Sequence, residues 1–78
     1  MQTFLERRQP EDNLFRFYRL ELDRDLFGAW CVTRNWGRIG TRGQSRLLSF
    51  ATRAEARSAL QGIEAAKRRR GYAPPASA

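Results

Sequence analysis

Histidine is absent from this 78-residue chain, and cysteine occurs only once, at Cys31. Without histidine, the chain lacks the commonest general base and the commonest zinc ligand. A single cysteine excludes an internal disulfide framework. We therefore expect a non-catalytic protein without a metal site and without a cofactor.

Long apolar runs are also missing. No stretch of 18 apolar residues occurs, and the first residues do not form a charged-then-apolar leader. The sequence therefore predicts a soluble, cytoplasmic protein with no membrane partner. Its length permits one small domain, which we expect to span residues 1–72, with a flexible tail over residues 73–78. Nothing in the sequence demands more than a monomer.

Acidic residues are scarce in the second half of the chain. Residues 1–33 hold five bases and six acids, a net charge of −1, whereas residues 34–70 hold ten bases and two acids, a net charge of +8. This asymmetry predicts a cationic face and a polyanionic partner. The alternative is that the bases, nearly all arginine, are solubility charges without a specific partner.

Alternating apolar residues predict a small antiparallel sheet of three or four strands. The first is expected over Met1–Arg8, with Phe4 facing inward. The others are expected over Phe15–Asp23, Phe27–Trp36 and Gln44–Phe50. Within each of these strands the apolar residues at alternate positions share a face: Tyr18, Leu20 and Leu22; then Trp30 and Val32, with Trp36 as a further candidate; then Leu48 and Phe50.

A helix follows the last predicted strand. Thr52 and Glu55 have the spacing of a capping box, and apolar residues then recur at helical spacing. The cations of residues 67–70 suit the negative end of the helix dipole, and Gly71 is a typical C-terminal cap. The predicted fold is α+β, with one C-terminal helix packed on one face of the sheet. The other face, or the rim that carries Trp36, stays free to bind.

The segment Trp36-Gly37-Arg38 is followed closely by Gly40, Gly43 and Gln44. A tryptophan ring offers a surface on which a sugar or base stacks, and a guanidinium fork matches phosphate oxygens. Two structural alternatives stay open: Trp36 packs into the core, and Arg38 pairs with an acid of the first half. The glycines serve tight turns or allow close approach of a ligand.

With these residues and the alanine-rich helix that ends in Lys67-Arg68-Arg69-Arg70-Gly71-Tyr72, the chain resembles a WGR domain from about Asn13 to Tyr72. Such domains occur in DNA-damage-responsive poly(ADP-ribose) polymerases, in bacterial proteins named as molybdate-metabolism regulators, and as stand-alone bacterial chains. In the polymerases the motif tryptophan lies against the sugar-phosphate backbone near a strand end, and the arginine contacts DNA and neighbouring domains. The resemblance implies these positions for Trp36 and Arg38.

We therefore expect a nucleic-acid-binding module that favours DNA over RNA and reads backbone and strand ends. The main alternative is an adaptor that docks an acidic protein through the same basic face, and a small enzyme is the weakest alternative. The expected contact residues are Trp36, Gly37, Arg38, Arg34, Arg42, Gln44, Arg46, Arg53, Arg57, Lys67 and Arg68.

Overall fold

Four antiparallel strands and one helix make up the fold, as the sequence predicts. The computed structural model describes residues 1–75. The elements are β1 (Gln2–Gln9), a short 3-10 helix (Pro10–Asp12), β2 (Leu14–Arg24), β3 (Trp30–Arg38), β4 (Gln44–Phe50) and α1 (Arg53–Arg69). The strands lie in the sheet in their order along the chain, β1-β2-β3-β4. Each is joined to the next by a short connection, and α1 crosses one face.

The hydrophobic core lies between α1 and the sheet. Its fully buried side chains include Leu5, Leu20, Val32 and Leu60. We call the covered surface the helix-side face and the other the open face. The alternation predicted for β2, β3 and β4 is confirmed, since the predicted apolar set packs in or against this core.

The orientation predicted for β1 is wrong. Leu5 pairs with Tyr18 and is fully buried, whereas Phe4 pairs with Arg19 on the open face. There the Phe4 ring stacks on Phe17, with centroids 6.2 Å apart. Leu5 and Phe4 are adjacent and both apolar, so the sequence of this strand does not specify which one faces α1.

Both ends of α1 have the predicted caps. At the N-terminus the Thr52 side chain accepts a hydrogen bond from the Glu55 backbone N–H at 3.1 Å. At the C-terminus Gly71 has a φ of 96°, and Tyr72 N–H donates to the carbonyl of Lys67 at 3.1 Å. This is the pattern of a Schellman motif. It returns the chain to the sheet, where Tyr72 is buried.

The turn between β2 and β3 is longer than the sequence predicts. Asp25 Oδ1 accepts hydrogen bonds from the N–H groups of Phe27 and Ala29, both at 2.8 Å. Gly28 has a φ of 86°, a conformation that favours glycine. Phe27 therefore belongs to the turn rather than to β3, and its side chain is 95% exposed.

The segment after α1 begins with a pairing to the first strand. Glu6 and Ala73 exchange two backbone hydrogen bonds, of 2.7 and 2.9 Å. Ala73 lies in the segment predicted to be a flexible tail, and residues 76–78 of that segment lie outside the described residues. Residues 1–75 contain no helix with the length and the apolar composition of a membrane-spanning segment.

Candidate nucleic-acid interface

Three rows of side chains cross one end of the helix-side face. Residues paired across antiparallel strands point to the same side of a sheet. The middle row is Leu5, Tyr18, Trp36 and Gln44; it is flanked by a row of Arg7, Arg16 and Arg38 and by a row of Thr3, Leu20, Arg34 and Arg46. The pairing thus places an aromatic pair between two sets of guanidiniums.

Tyr18 is the buried centre of this arrangement. Its side chain is 2% exposed, its ring stacks on Trp36 with centroids 6.1 Å apart, and Tyr72 meets it edge-on at 6.2 Å. Trp36 is only half-buried. The indole therefore packs against the core, as the structural alternative expects, and the residue stays partly accessible to solvent.

Two cations are held over these rings. Arg34 Nε donates a 2.6 Å hydrogen bond to Tyr18 Oη, and its guanidinium carbon lies 5.7 Å from the centre of the Trp36 ring. Lys67 Nζ lies 4.5 Å from the centre of the Tyr18 ring. Both positions are typical of cation–π contacts.

The charge around Lys67 is uncompensated. Burial lowers the pKa of Lys67 below its ordinary value of 10.5, and the neighbouring guanidiniums of Arg70, Arg34 and Arg16 lower this pKa further. A base whose pKa falls through both causes lies in a positive, partly desolvated site. These four residues thus share one region of positive potential.

Acidic partners do not offset this potential in the described part of the chain. Over residues 1–75 the ion pairs within 4.0 Å are Arg8–Glu6 and Arg68–Glu64. Neither involves the six cations around the aromatic pair, which are Arg16, Arg34, Arg38, Arg46, Lys67 and Arg70. We call these six residues, together with Tyr18 and Trp36, the cation–aromatic cluster.

Arg38, the arginine of the Trp-Gly-Arg segment, lies at the outer end of the cluster. It is exposed and stands opposite Arg16 across the β2–β3 pairing. Its guanidinium carbon is 5.4 Å from the Phe15 ring centre. It also donates two long hydrogen bonds, each 3.4 Å, to Asn13. These neutral contacts replace the acidic partner that the structural alternative expected.

The glycines of the segment have a structural role in the β3–β4 connection. A Cβ on Gly37 would lie 2.7 Å from Gly43 Cα, and a Cβ on Gly43 would clash with the carbonyl of Trp36. Asn35 Nδ2 ties the same connection, donating to the carbonyls of Arg42 and Gln44 at 3.0 and 2.9 Å. This close packing fixes the backbone that carries Trp36.

The structure does not bring all the predicted contact residues together. Gln44 stands opposite Trp36, but Arg42 lines a depression on the open face. Arg68 pairs with Glu64 at 3.1 Å. Arg53 and Arg57 lie in the first turns of α1, and Arg53 is about 20 Å from Lys67 along the helix axis.

Sequence reasoning missed Arg16 and Tyr18 and did not single out Arg70. Tyr18 was assigned to the core alone, although its ring also supports Arg34 and Lys67. The alternation that places Tyr18 inward also places Arg16 on the same face, so β2 contained the signal for Arg16. The proximity of Lys67, beside Arg70, to Arg34 and Arg16 depends on how α1 crosses the sheet, which the sequence does not show.

Comparisons with known proteins gave a family match and a sequence relative. The family described as WGR domain matches residues 1–78; it is a small binding-type domain associated with nucleic-acid binding. A protein of Sinorhizobium fredii (strain NBRC 101917 / NGR234), described as uncharacterized protein y4dW, is 38% identical over 71 residues. That alignment covers 91% of this chain and 35% of the relative, so the chain spans about a third of the relative's length. No solved structure matches the chain significantly.

Proposed function

Because the chain belongs to the WGR domain family, we propose that it binds DNA through the cation–aromatic cluster. In this proposal a sugar or terminal base lies on the accessible part of the Trp36 ring. The flanking guanidiniums and the Lys67 ammonium contact the phosphates on either side. The protein is a non-catalytic module that recognises backbone and strand-end shape.

The alternation of charge and aromatic surface across the sheet supports this proposal most directly. Like charges placed opposite each other on neighbouring strands destabilise a sheet, yet Arg16 faces Arg38 and Arg34 faces Arg46. A bound polyanion relieves this repulsion. Arg34, Trp36 and Arg38 follow one another at alternate positions of β3, about 7 Å apart, so phosphates on both sides of a stacked sugar have a guanidinium within reach.

The chemistry of the cluster favours backbone recognition over base readout. Guanidinium and ammonium groups bind phosphates, and phosphate contacts position a protein without carrying sequence information. The helix is packed on the sheet and presents Lys67 and Arg70 at its C-terminal end. We therefore expect affinity to depend on the form of the DNA end more than on its sequence.

The test is fluorescence anisotropy at 50 mM salt with labelled nicked, blunt-ended and single-stranded DNA and with a matched RNA duplex. We expect binding of DNA, and tighter binding where a strand end is present. Substitution Trp36→Ala is expected to weaken binding about 5- to 150-fold, the range of one lost stacking contact. Trp36→Phe keeps an aromatic ring beside Tyr18 and is expected to lose less.

Trp30→Phe is the matched control, because Trp30 is also half-buried but lies at the far end of the sheet, opposite Phe50. It is expected to leave affinity unchanged. Equal losses for the Trp36 and Trp30 variants would overturn the proposed site. A preference for poly-glutamate over every nucleic acid would replace DNA by an acidic protein as the partner of this surface.

A further inference from the structure

The turn between β2 and β3 presents two large apolar side chains to solvent. Leu26 is 98% exposed and Phe27 is 95% exposed. The turn is held in place: besides the two bonds that Asp25 Oδ1 accepts, Asp25 N–H donates to the Ala29 carbonyl at 2.9 Å, and Arg24 Nε donates to the Gly28 carbonyl at 3.3 Å. We call Leu26 and Phe27 the apolar tip.

Carboxylates flank the apolar tip along the chain. Asp25 lies in the turn, Asp23 lies beside it near the end of β2, and Glu21 lies further back on the same face of β2, with Arg24 as the basic residue among them. Among residues 1–75, none of these three acids makes an ion pair within 4.0 Å. The tip is therefore an apolar protrusion with a net negative border.

A depression of about 350 Å³ lies on the open face, toward the other end of the sheet. Phe4, Phe17 and Ile39 supply its apolar walls, and Arg19 and Arg42 supply its charged border. No acidic residue lines it, and Arg19 stacks on Phe4 with its guanidinium carbon 5.3 Å from the ring centre. An apolar cavity of about 150 Å³ holds a benzene molecule, so this depression has room for a phenyl ring and a neighbouring aliphatic side chain.

The tip and the depression are complementary in polarity and charge, and the volume of the depression admits the side chains of the tip. We propose that the apolar tip of one copy of this chain docks into the open-face depression of a second copy. Phe27 enters between the apolar walls, and Asp23 meets Arg19 or Arg42 at the border. The two surfaces belong to different ends of the molecule, so the contact is heterologous and leaves one tip and one depression free in every pair.

This association is weak. Two side chains bury far less surface than the roughly 800 Å² per partner of a standard interface. We therefore expect a monomer at micromolar concentration, in agreement with the sequence-based expectation, and association only toward millimolar concentration. The contact uses no member of the cation–aromatic cluster, so it is independent of the proposed DNA binding.

Sedimentation equilibrium of the full chain, without nucleic acid and from 10 µM to 2 mM, tests the proposal. One variant, Leu26→Ser/Phe27→Ser, loses the tip and keeps the depression. A second, Arg19→Glu/Arg42→Glu, reverses the charge of the depression and keeps the tip. A control, Leu47→Ser, removes an apolar side chain that is 58% exposed, points to the open face and lies outside the depression.

We expect the wild type and the Leu47 control to associate, and each double variant to stay monomeric to 2 mM. An equimolar mixture of the two double variants should form pairs and nothing larger, because it contains one working tip and one working depression. A wild type that is monomeric at 2 mM, double variants that associate like the wild type, or a mixture that does not pair would each overturn the proposal. Amide spectra of each variant confirm that it is folded.

Discussion

The double substitution Arg16→Gln/Arg46→Gln removes one guanidinium from each side of the Tyr18–Trp36 pair. Both arginines are exposed, and no ion pair or side-chain hydrogen bond holds either of them within residues 1–75. Arg16 also stands between two arginines, on β1 and β3. We therefore expect the variant to be as stable as the wild type or more stable by about 0.5–1 kcal/mol.

The expected effect of this variant on DNA binding is a weaker dependence of the affinity on salt concentration. If each of the six cations of the cluster neutralises one phosphate, log Kobs falls with log salt at a slope of about −5.4, and the variant retains a slope of about −3.6. Between 50 and 200 mM salt, the wild type then loses about 2,000-fold in affinity, and the variant loses about 150-fold.

Anisotropy titrations at four salt concentrations measure both slopes, and urea unfolding measures stability. The matched control is Arg53→Gln/Arg57→Gln, which removes the same charge from two exposed residues at the start of α1. These arginines were also expected contacts from the sequence, but they lie far from the cluster along the helix. An equal decrease of the slope in both double variants, or no decrease in either, would show that Arg16 and Arg46 do not lie in the DNA-binding surface.

Three further predictions concern single residues. Lys67 is the only lysine, and its pKa lies below 10.5. Bound DNA should raise the pKa of Lys67, because phosphates offset the positive charge of the neighbouring guanidiniums. An NMR titration of the ¹³C-dimethylated protein measures this pKa, and an unchanged value on DNA binding would contradict the placement of the site. Gly43→Ala should lower the free energy of unfolding in urea by more than about 2 kcal/mol, because the new Cβ would clash with the Trp36 carbonyl. The comparison is Gly40→Ala, which has a φ of 94° but open space around it. This substitution should lower the free energy of unfolding by about 1–2 kcal/mol. Thr52→Ala should cost about 1 kcal/mol through loss of the helix cap, and a thermal shift within error of the wild type would show that this cap is dispensable.

The sequence predicted the fold well wherever two signals agreed. The bounds of β4 and the N-cap at Thr52 were predicted correctly because alternation stops where a capping pattern begins. The sequence-based prediction was wrong where only one signal was present and that signal was ambiguous. Phe4 and Leu5 are both apolar, and Phe27 looks like a strand residue although the hydrogen bonds of Asp25 hold it in a turn.

The sequence allowed prediction of the site residues within β3, but not of all the residues that neighbouring strands place beside them. The Trp-Gly-Arg segment marked the position of the surface on β3, and parity placed Arg34 beside Trp36. Cross-strand register decides which residues stand next to them: it brings in Arg16, which the sequence analysis missed, and it places Arg46, already an expected contact, opposite Arg34. A charge count cannot separate these arginines from those at positions 53 and 57, since it carries no spatial information.

Burial divides the cluster into a fixed part and a free part. Tyr18 is almost fully buried and holds three members in place: it stacks on Trp36, accepts a hydrogen bond from Arg34 and lies beneath Lys67. Groups already ordered in the free protein lose little entropy when a ligand binds. Arg16, Arg46 and Arg70 are exposed, and the charges of Arg16 and Arg70 contribute to the positive potential at Lys67. It follows that the fixed part determines which shape of strand fits, while the free arginines supply three of the six salt-sensitive charges, so substitutions in the two parts should change different measured quantities.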